Sequence, residues 1–258
     1  AETTRSSDLM SFDSDGYTLG GDGDTNASGD DYVGWSWKAG TTTGIAGSPT
    51  ITPTSYSFNA TSGFSVIAYT GTGVAATLPH GLGVAPKMII QKNLADTENW
   101  QVYHEAMGPT QYLLLNTTGA QSTQTSRWND TSPTSTLFSI GTDSSTNGSG
   151  EACVAYCFAD VKGYSKMGSY EGNANADGPF VYTGFRPAFI VIKNSDGVET
   201  WNMWDNKRST SGSNLTNMNL APNSSAAENT ATAPGGQVID ILSNGFKIRG
   251  TTTETNQS

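Results

Sequence analysis

The stretch Ala85-Pro-Lys-Met-Ile-Ile-Gln-Lys-Asn93 returns in altered form 101 residues later as Arg186-Pro-Ala-Phe-Ile-Val-Ile-Lys-Asn194. The same offset relates Tyr69 to Tyr170 and Trp100 to Trp201. A constant spacing that keeps these residue types in register indicates an internal repeat. The apolar run after each proline is typical of a strand, because proline is tolerated where a strand begins.

A second pattern, Thr-Asn-x-Ser, occurs at residues 25–28, 146–149 and 255–258, each time after a short apolar segment that ends in glycine. An apolar run follows the first two copies, Tyr32–Trp37 and Cys153–Phe158. We therefore expect a chain that begins inside one repeat and ends inside another. The last repeat is expected to have an open sheet edge.

Abundant Thr, Val and aromatic residues, frequent turn signals and the lack of a helical period predict an all-β fold with little helix. The predicted architecture is a tandem array of antiparallel β-sandwich or jelly-roll-like units. Residues 1–50 would hold the terminal strands of a preceding unit and a linker, 51–162 a first complete sandwich, and 163–258 a second sandwich without its last strand. Tyr32–Trp37, another chain or further sequence could fill the open edge.

The chain carries 13 Lys and Arg against 23 Asp and Glu, a formal net charge of −10. An acidic surface repels phosphate groups, so neither nucleic acid nor insertion into a membrane is expected. No apolar run approaches the ~20 residues that cross a bilayer. No secretory signal is recognisable at the start.

The two cysteines, Cys153 and Cys157, share one face of a predicted strand, where they would lie roughly 13 Å apart. A disulfide needs Cα atoms within about 7 Å. Both are therefore predicted to be free, buried, small apolar residues.

The acidic stretch Asp22-Gly-Asp-Thr-Asn26 has the start of a calcium loop, but Ala27 and Val33 stand where such a loop needs glycine and glutamate. The later copies keep the turn-forming residues and lose most of the acids, which favours a structural turn. Asp22, Asp24 and Asn26, with Asp13 and Asp15 nearby, are the candidate cation ligands, and no cofactor is predicted.

Catalysis is not expected. His80 and His104 are the two histidines, and neither belongs to a recognisable nucleophile or metal motif. A polysaccharide depolymerase would need two close carboxylates. The carboxylates considered for that role are Glu98, Glu105, Glu199 and Asp205.

Alternation in Trp100-Gln-Val-Tyr103 and in Trp201-Asn-Met-Trp204 divides each segment between two faces. If Trp100 and its partner face the core, the opposite rings face outward beside an amide, which suits sugar stacking or a protein contact. The alternative, in which the rings pack within their own unit, stays open. The candidate ligand-binding residues are Tyr103, Trp204, Gln101 and Asn202, whereas Trp35 and Trp37 are predicted to be core residues.

Four longer motifs carry a family resemblance. They are Ser-Phe-Asp-Ser-Asp-Gly-Tyr-Thr-Leu-Gly at 11–20, Tyr-Val-Gly-Trp-Ser-Trp-Lys-Ala-Gly at 32–40, His-Gly-Leu-Gly-Val-Ala-Pro at 80–86 and Tyr-Thr-Gly-Phe-Arg-Pro at 182–187. Together they resemble virion structural proteins of marine bacteriophages (cyanophage and pelagiphage type), usually tail or tail-fibre proteins. The resemblance covers about Leu9 to Ser258, and it supplies no catalytic residues to carry over.

The resemblance implies a structural protein of the tail or fibre apparatus that contributes to host attachment. Its partners would be other virion proteins, further copies of itself with a trimer favoured, and a host-surface glycan or receptor. Such a protein is assembled in the bacterial cytoplasm and released by lysis. The alternative is a purely architectural capsid decoration, neck or baseplate protein without a ligand.

Overall fold

The computed structural model describes residues 5–209, 214–230 and 236–258. Within these ranges the chain forms nineteen short strands and four helices of four residues each. Every strand pairing in them is antiparallel. The prediction of an all-β fold with little helix is confirmed.

Residues 5–50, the N-terminal segment, contain a hairpin and one helical turn: β1 (Leu9–Phe12), β2 (Tyr17–Leu19) and α1 (Gly23–Asn26). Residues 40–55, expected to be a linker, bond to the next segment, and the last of them begins the strand β3 (Ser55–Asn59). Thr41 forms a bridge with Phe58, and the Thr54 amide donates to the Ala68 carbonyl (2.8 Å).

Residues 51–162, the middle segment, contain nine strands and two helical turns. In chain order these are β3 (Ser55–Asn59), β4 (Phe64–Thr70), β5 (Ala76–Pro79), β6 (Met88–Asn93), β7 (Gln101–His104), β8 (Gln111–Leu114), β9 (Ser122–Thr123), α2 (Thr125–Trp128), β10 (Leu137–Ile140), α3 (Ser144–Asn147) and β11 (Ala152–Phe158).

Residues 163–258, the C-terminal segment, contain eight described strands and one helical turn. These are β12 (Phe180–Tyr182), β13 (Phe189–Ile192), β14 (Asn202–Asp205), β15 (Leu215–Thr216), β16 (Met218–Asn219), β17 (Asn229–Thr230), β18 (Ile239–Leu242), β19 (Gly245–Ile248) and α4 (Thr253–Asn256).

The largest sheet has seven strands in the order β3-β4-β11-β6-β7-β8-β9, and β5 pairs separately with β10. Apolar side chains from both groups of strands form one core, because alternate residues of each strand point to the same face. Its members include Ile67, Tyr69, Ile89, Tyr103, Cys153, Ala155 and Cys157 from the large sheet and Leu78, Phe138 and Ile140 from the pair. The cysteines are free and buried, as predicted.

A second core lies in the C-terminal segment. The β13-β14 pair faces the four-stranded sheet β12-β19-β18-β15. The buried residues of this core are Ile190, Ile192, Trp204, Ile239, Ile241, Phe246 and Ile248.

A third cluster joins the two segments. Trp201 packs with Val102 and Leu113 on the face of the seven-stranded sheet that points away from the first core. The Trp201 indole Nε1 also donates to the Leu114 carbonyl (2.9 Å). The large sheet is therefore covered on both faces around β7 and β8.

The Thr-Asn-x-Ser pattern builds the same one-turn helix three times, as α1, α3 and α4. In each helix the asparagine Nδ2 donates to the carbonyl of the glycine six residues earlier, which fixes the turn. The donor and acceptor pairs are Asn26 and Gly20 (2.7 Å), Asn147 and Gly141 (2.6 Å), and Asn256 and Gly250 (2.8 Å).

In two of these three turns a tyrosine hydroxyl also donates a hydrogen bond to the backbone of the turn. The Tyr69 hydroxyl donates to the Thr146 carbonyl and the Tyr170 hydroxyl to the Thr255 carbonyl, both at 2.6 Å. Among the described residues α1 has no such tyrosine, and Asn26 is exposed whereas Asn147 is fully buried. The middle and C-terminal segments thus share contacts that the N-terminal segment lacks.

Candidate binding surface

The structure buries all four predicted ligand-binding residues. Tyr103 is 2% exposed, Gln101 is 1% exposed, and Trp204 and Asn202 are fully buried. Of the two alternatives that the sequence left open, packing of the Tyr103 and Trp204 rings inside the protein agrees with this burial and an outward orientation does not. These residues hold the interior of the protein and line no surface.

The reason is that alternation separates two faces without saying which is covered. Tyr103 belongs to the first core, where its ring meets Trp128 edge to face at 5.9 Å. Val102, on the opposite face of β7, is covered by Trp201. The Gln101 amide donates to the carbonyl of Asn99 (2.9 Å).

The candidate cation ligands serve the turn around α1. The Asp22 carboxylate accepts from the Asp24 amide (2.9 Å) and caps the helical turn, while Arg5 pairs with Asp24 and lies 3.5 Å from Asp22. Asn26 holds the Gly20 carbonyl. In residues 5–209, 214–230 and 236–258, no group of three or more His, Cys, Asp or Glu side chains could hold a metal ion.

Burial shifts the pKa values of His80, Cys153 and Cys157 in the middle segment. It lowers the pKa of His80 to about 4 and raises the pKa values of Cys153 and Cys157 to about 11 and about 12. The imidazole is therefore neutral and the thiols protonated at neutral pH. A reactive cysteine needs the opposite shift.

Exposed apolar side chains are concentrated on the N-terminal hairpin. Phe12 is 82% exposed, Leu9 45% and Tyr17 44%. An open cavity of about 290 Å³ lies beside them, lined by Leu9, Phe12, Tyr17, Trp35 and Ser36. Exposed apolar groups that lie together mark contact surfaces more often than single ones do.

Trp35 and Trp37 extend this surface toward the other segments. Both rings contact Phe189, at centroid distances of 5.4 and 5.5 Å, and the Trp37 ring also lies 6.2 Å from Phe158. Trp37 is nevertheless 41% exposed, so the prediction that it is a core residue is wrong. We call Leu9, Phe12, Tyr17, Trp35 and Trp37 the aromatic surface.

A polar rim borders Trp35. Its indole Nε1 donates to Asp205 Oδ2 (3.3 Å), and Arg208 lies 5.7 Å from its ring centroid. Arg208 Nε donates to the same Asp205 oxygen at 2.7 Å and pairs with Glu228 through its other end. Burial opposes ionisation of Asp205, but bonds from Arg208 and from backbone amides outweigh it and lower the pKa of this carboxyl.

The aromatic surface was missed because its hairpin looks like a core element. Leu9 and Phe12 lie opposite Leu19 and Tyr17 across the hairpin, as Ile239 and Ile241 lie opposite Ile248 and Phe246 in the β18-β19 hairpin. The latter four are buried because β13 and β14 cover them. No described strands cover the first hairpin in this way, and only the tertiary structure shows that difference.

No helix in the described part of the chain is long and apolar enough to span a bilayer. Searches of curated proteins and of solved structures each found no significant match. A scan against protein families found one that matches residues 1–258. The chain belongs to this family, the domain of unknown function DUF7483.

Proposed function

We propose that this chain is a structural protein of a bacteriophage virion, from the tail or fibre apparatus, and that its aromatic surface contributes to host attachment. The sequence motifs that resemble virion proteins suggest the location. The observation that carries the activity is the exposure of Phe12 and Tyr17 beside one open cavity, which Trp35 also lines.

The chemistry of the aromatic surface suits a carbohydrate. Aromatic rings offer flat apolar faces, and the paired Arg208 and Glu228 side chains, both half-buried, add polar groups at the border. The net charge of −10 disfavours polyanions such as nucleic acid. The expected ligand is a neutral or weakly charged host-surface glycan.

The scaffold of this protein is, in our proposal, a tandem array of sandwich-like units with boundaries near residues 50 and 162. Its support is the recurrence of the Tyr69 and Tyr170 hydrogen bonds and of the Asn147 and Asn256 turns. Within the described residues one chain carries the aromatic surface once, so its repeated display depends on several copies of the chain. An oligomer, with a trimer favoured, would turn weak contacts into useful avidity.

The test is binding of the purified chain to polysaccharides from marine bacteria on an array, followed by the Phe12→Ala/Tyr17→Ala double variant. We expect binding to fall by more than about tenfold in this variant, because two stacking faces worth about 1 kcal/mol each are lost. Val198→Ala, which truncates another side chain that is 73% exposed, is the matched control.

The double variant should fold normally, since Phe12 is largely exposed and neither ring belongs to the three buried clusters, and circular dichroism checks this. Binding that is equal in the double variant and in the wild type would overturn the proposal. If no glycan binds and the double variant instead fails to join the particle, the architectural alternative holds.

A further inference from the structure

Strand β13 has one edge that no described strand pairs with. Among the described strands its partner is β14 alone, and the Asn206 amide donates to the Ala188 carbonyl at 3.0 Å. In an antiparallel ladder this alternation directs the backbone groups of Ile190 and Ile192 toward β14. The backbone groups of Phe189 and Val191 point to the other side, where no described residue offers a backbone partner.

The corresponding strand of the middle segment has both edges occupied. β6, which lies 101 residues earlier in the repeat, pairs with β7 on one side and with β11 on the other. The covering strand changes the exposure of the side chains. Lys92 is 2% exposed and Ile90 is half-buried, whereas Lys193 is half-buried and Val191 is 38% exposed.

The chain also contains a strand-like sequence that pairs with no described strand. Tyr32–Trp37 follows the first Thr-Asn-x-Ser turn as Cys153–Phe158 follows the second. In the described part of the chain its backbone makes no hydrogen bond to other backbone groups, and Tyr32 and Val33 are 50% and 37% exposed. We call residues 32–37 the ribbon.

Hydrogen bonds hold the first residue of the ribbon and the segment after its last residue to the same chain. The Tyr32 hydroxyl donates to the Gly23 carbonyl (3.0 Å) and accepts from the Ala27 amide (2.9 Å). Beyond the ribbon, the Gly40 amide donates to the Ser57 hydroxyl (2.9 Å). Held in this way, the ribbon reaches the β13 of its own chain through ring contacts on Phe189 but makes no backbone hydrogen bond to that strand.

We propose that the open edge of β13 binds the ribbon of a second copy of this chain as an added strand. Each chain would then supply one donor strand and one acceptor edge. Addition of a strand to a sheet edge satisfies backbone groups that otherwise stay in water, and side-chain alternation sets its specificity. This inference does not depend on the proposed attachment to glycans.

The register follows from β11, in which Phe158 lies opposite Met88 and Tyr156 opposite Ile90. By the same pairing, Trp37 lies opposite Phe189 and Trp35 opposite Val191. The residues that then face the second core are Tyr32, Gly34 and Ser36, the counterparts of the buried Cys153, Ala155 and Cys157. Gly34 and Ser36 are small enough to fit between the added strand and the second core.

The association is head to tail, because the donor and the acceptor are different parts of the chain. Such contacts close into a ring when the rotation allows and otherwise extend into a fibre. A ring of three copies would give the trimer expected of a fibre protein.

The test uses two proline variants of the whole chain. Val191→Pro removes an N–H that points to the open edge and not to β14, so β13 should survive the change. Val33→Pro removes an N–H on the donor side. Val191→Thr and Val33→Thr keep both N–H groups and serve as matched controls.

Light scattering and native mass spectrometry should show association of the wild-type chain that rises with concentration. Each proline variant alone should raise the dissociation constant by more than about tenfold, and each threonine variant should associate as the wild type does. An equimolar mixture of the two proline variants should form a heterodimer, because it retains one intact donor and one intact acceptor.

A wild-type chain that stays monomeric over the whole concentration range would overturn the proposal, since the edge would then be open or filled within one chain. A mixture of folded proline variants that stays monomeric would overturn it as well. So would unimpaired association of either proline variant alone.

Discussion

His80 shows how burial determines the chemistry of a single side chain. It is fully buried in the turn after β5, where its Nδ1 accepts from the Leu82 amide (3.2 Å) and its Nε2 lies 3.2 Å from the Thr134 carbonyl. A carbonyl only accepts, so the proton sits on Nε2 and the ring is neutral. The histidine is a packing residue with both nitrogens satisfied.

Acid should destabilise the protein through His80. Burial lowers its pKa to about 4, below the ordinary 6.5, so the unfolded chain binds the proton first as the pH falls. The contribution of the neutral ring to stability is complete above pH 6.5 and is lost between about 6.5 and about 4, at a cost of about 3 kcal/mol.

Urea unfolding across this pH range measures the effect. His80→Gln should remove most of the decrease in unfolding free energy over this pH range. His104→Gln should keep the part of the decrease that protonation of His80 causes. An identical pH slope in wild type and His80→Gln would show that other groups cause the acid sensitivity.

The one-turn helices show that contacts with the surrounding protein also determine the stability of an element of four residues. A helix this short has no stability of its own. The Asn147 amide instead connects α3 to its surroundings by donating to the Gly141 and Val74 carbonyls (2.6 and 2.7 Å) and accepting from the Thr72 amide (2.7 Å). The backbone next to α3 is also closely packed, because a Cβ atom added to Gly71 would lie 2.3 Å from the Gly148 carbonyl oxygen.

Removal of the buried amide should be costly. Asn147→Ala leaves the buried Gly141 carbonyl without this partner and also removes the partly buried bonds to the Val74 carbonyl and the Thr72 amide, so we expect a loss of about 2–3 kcal/mol in unfolding free energy. Asn26→Ala, at the corresponding exposed position of α1, should cost less than about 1 kcal/mol. Chemical denaturation of the two variants side by side gives the comparison, and equal losses would refute the role of burial.

At the scale of the whole molecule, Trp201 joins the middle and C-terminal segments. Its ring covers Val102 and Leu113, and a second contact nearby links the Gln121 amide to the Ser195 carbonyl (2.6 Å). Trp100, the residue 101 positions earlier, stacks on Tyr156 of its own segment instead (6.3 Å). Equivalent residues of a repeat thus have different neighbours.

Truncation of Trp201 should loosen this joint and spare both cores. Large aromatic residues cost about 3–5 kcal/mol when they are cut back to alanine in a packed site. Trp201→Ala should therefore speed amide hydrogen exchange in residues 111–115, while β4 and β11 stay protected. Trp100→Ala should leave the exchange in residues 111–115 unchanged. Unchanged exchange in residues 111–115 would show that the joint does not depend on the indole.

Several features could be predicted from the sequence because they depend on local chemistry. The strand predicted to hold Cys153 and Cys157 is β11, and the Thr-Asn-x-Ser repeats form turns whose asparagines bond to nearby backbone. The free, buried cysteines followed from strand geometry alone. The resemblance to virion proteins and the role in attachment stay proposals.

The candidate site depended on information that no local pattern contains. Alternation assigned Tyr103 and Val102 to opposite faces correctly, but a strand cannot specify which of its faces a distant segment will cover. Trp201, about a hundred residues away, covers one face of β7, and the first core covers the other. The sequence by itself thus determined the strands, the turns and the all-β class, since these arise between neighbours in the chain. Only the tertiary structure decided that Tyr103 and Trp204 are buried and that Phe12, Tyr17 and Trp37 are exposed, because burial depends on what packs against a residue from far along the chain.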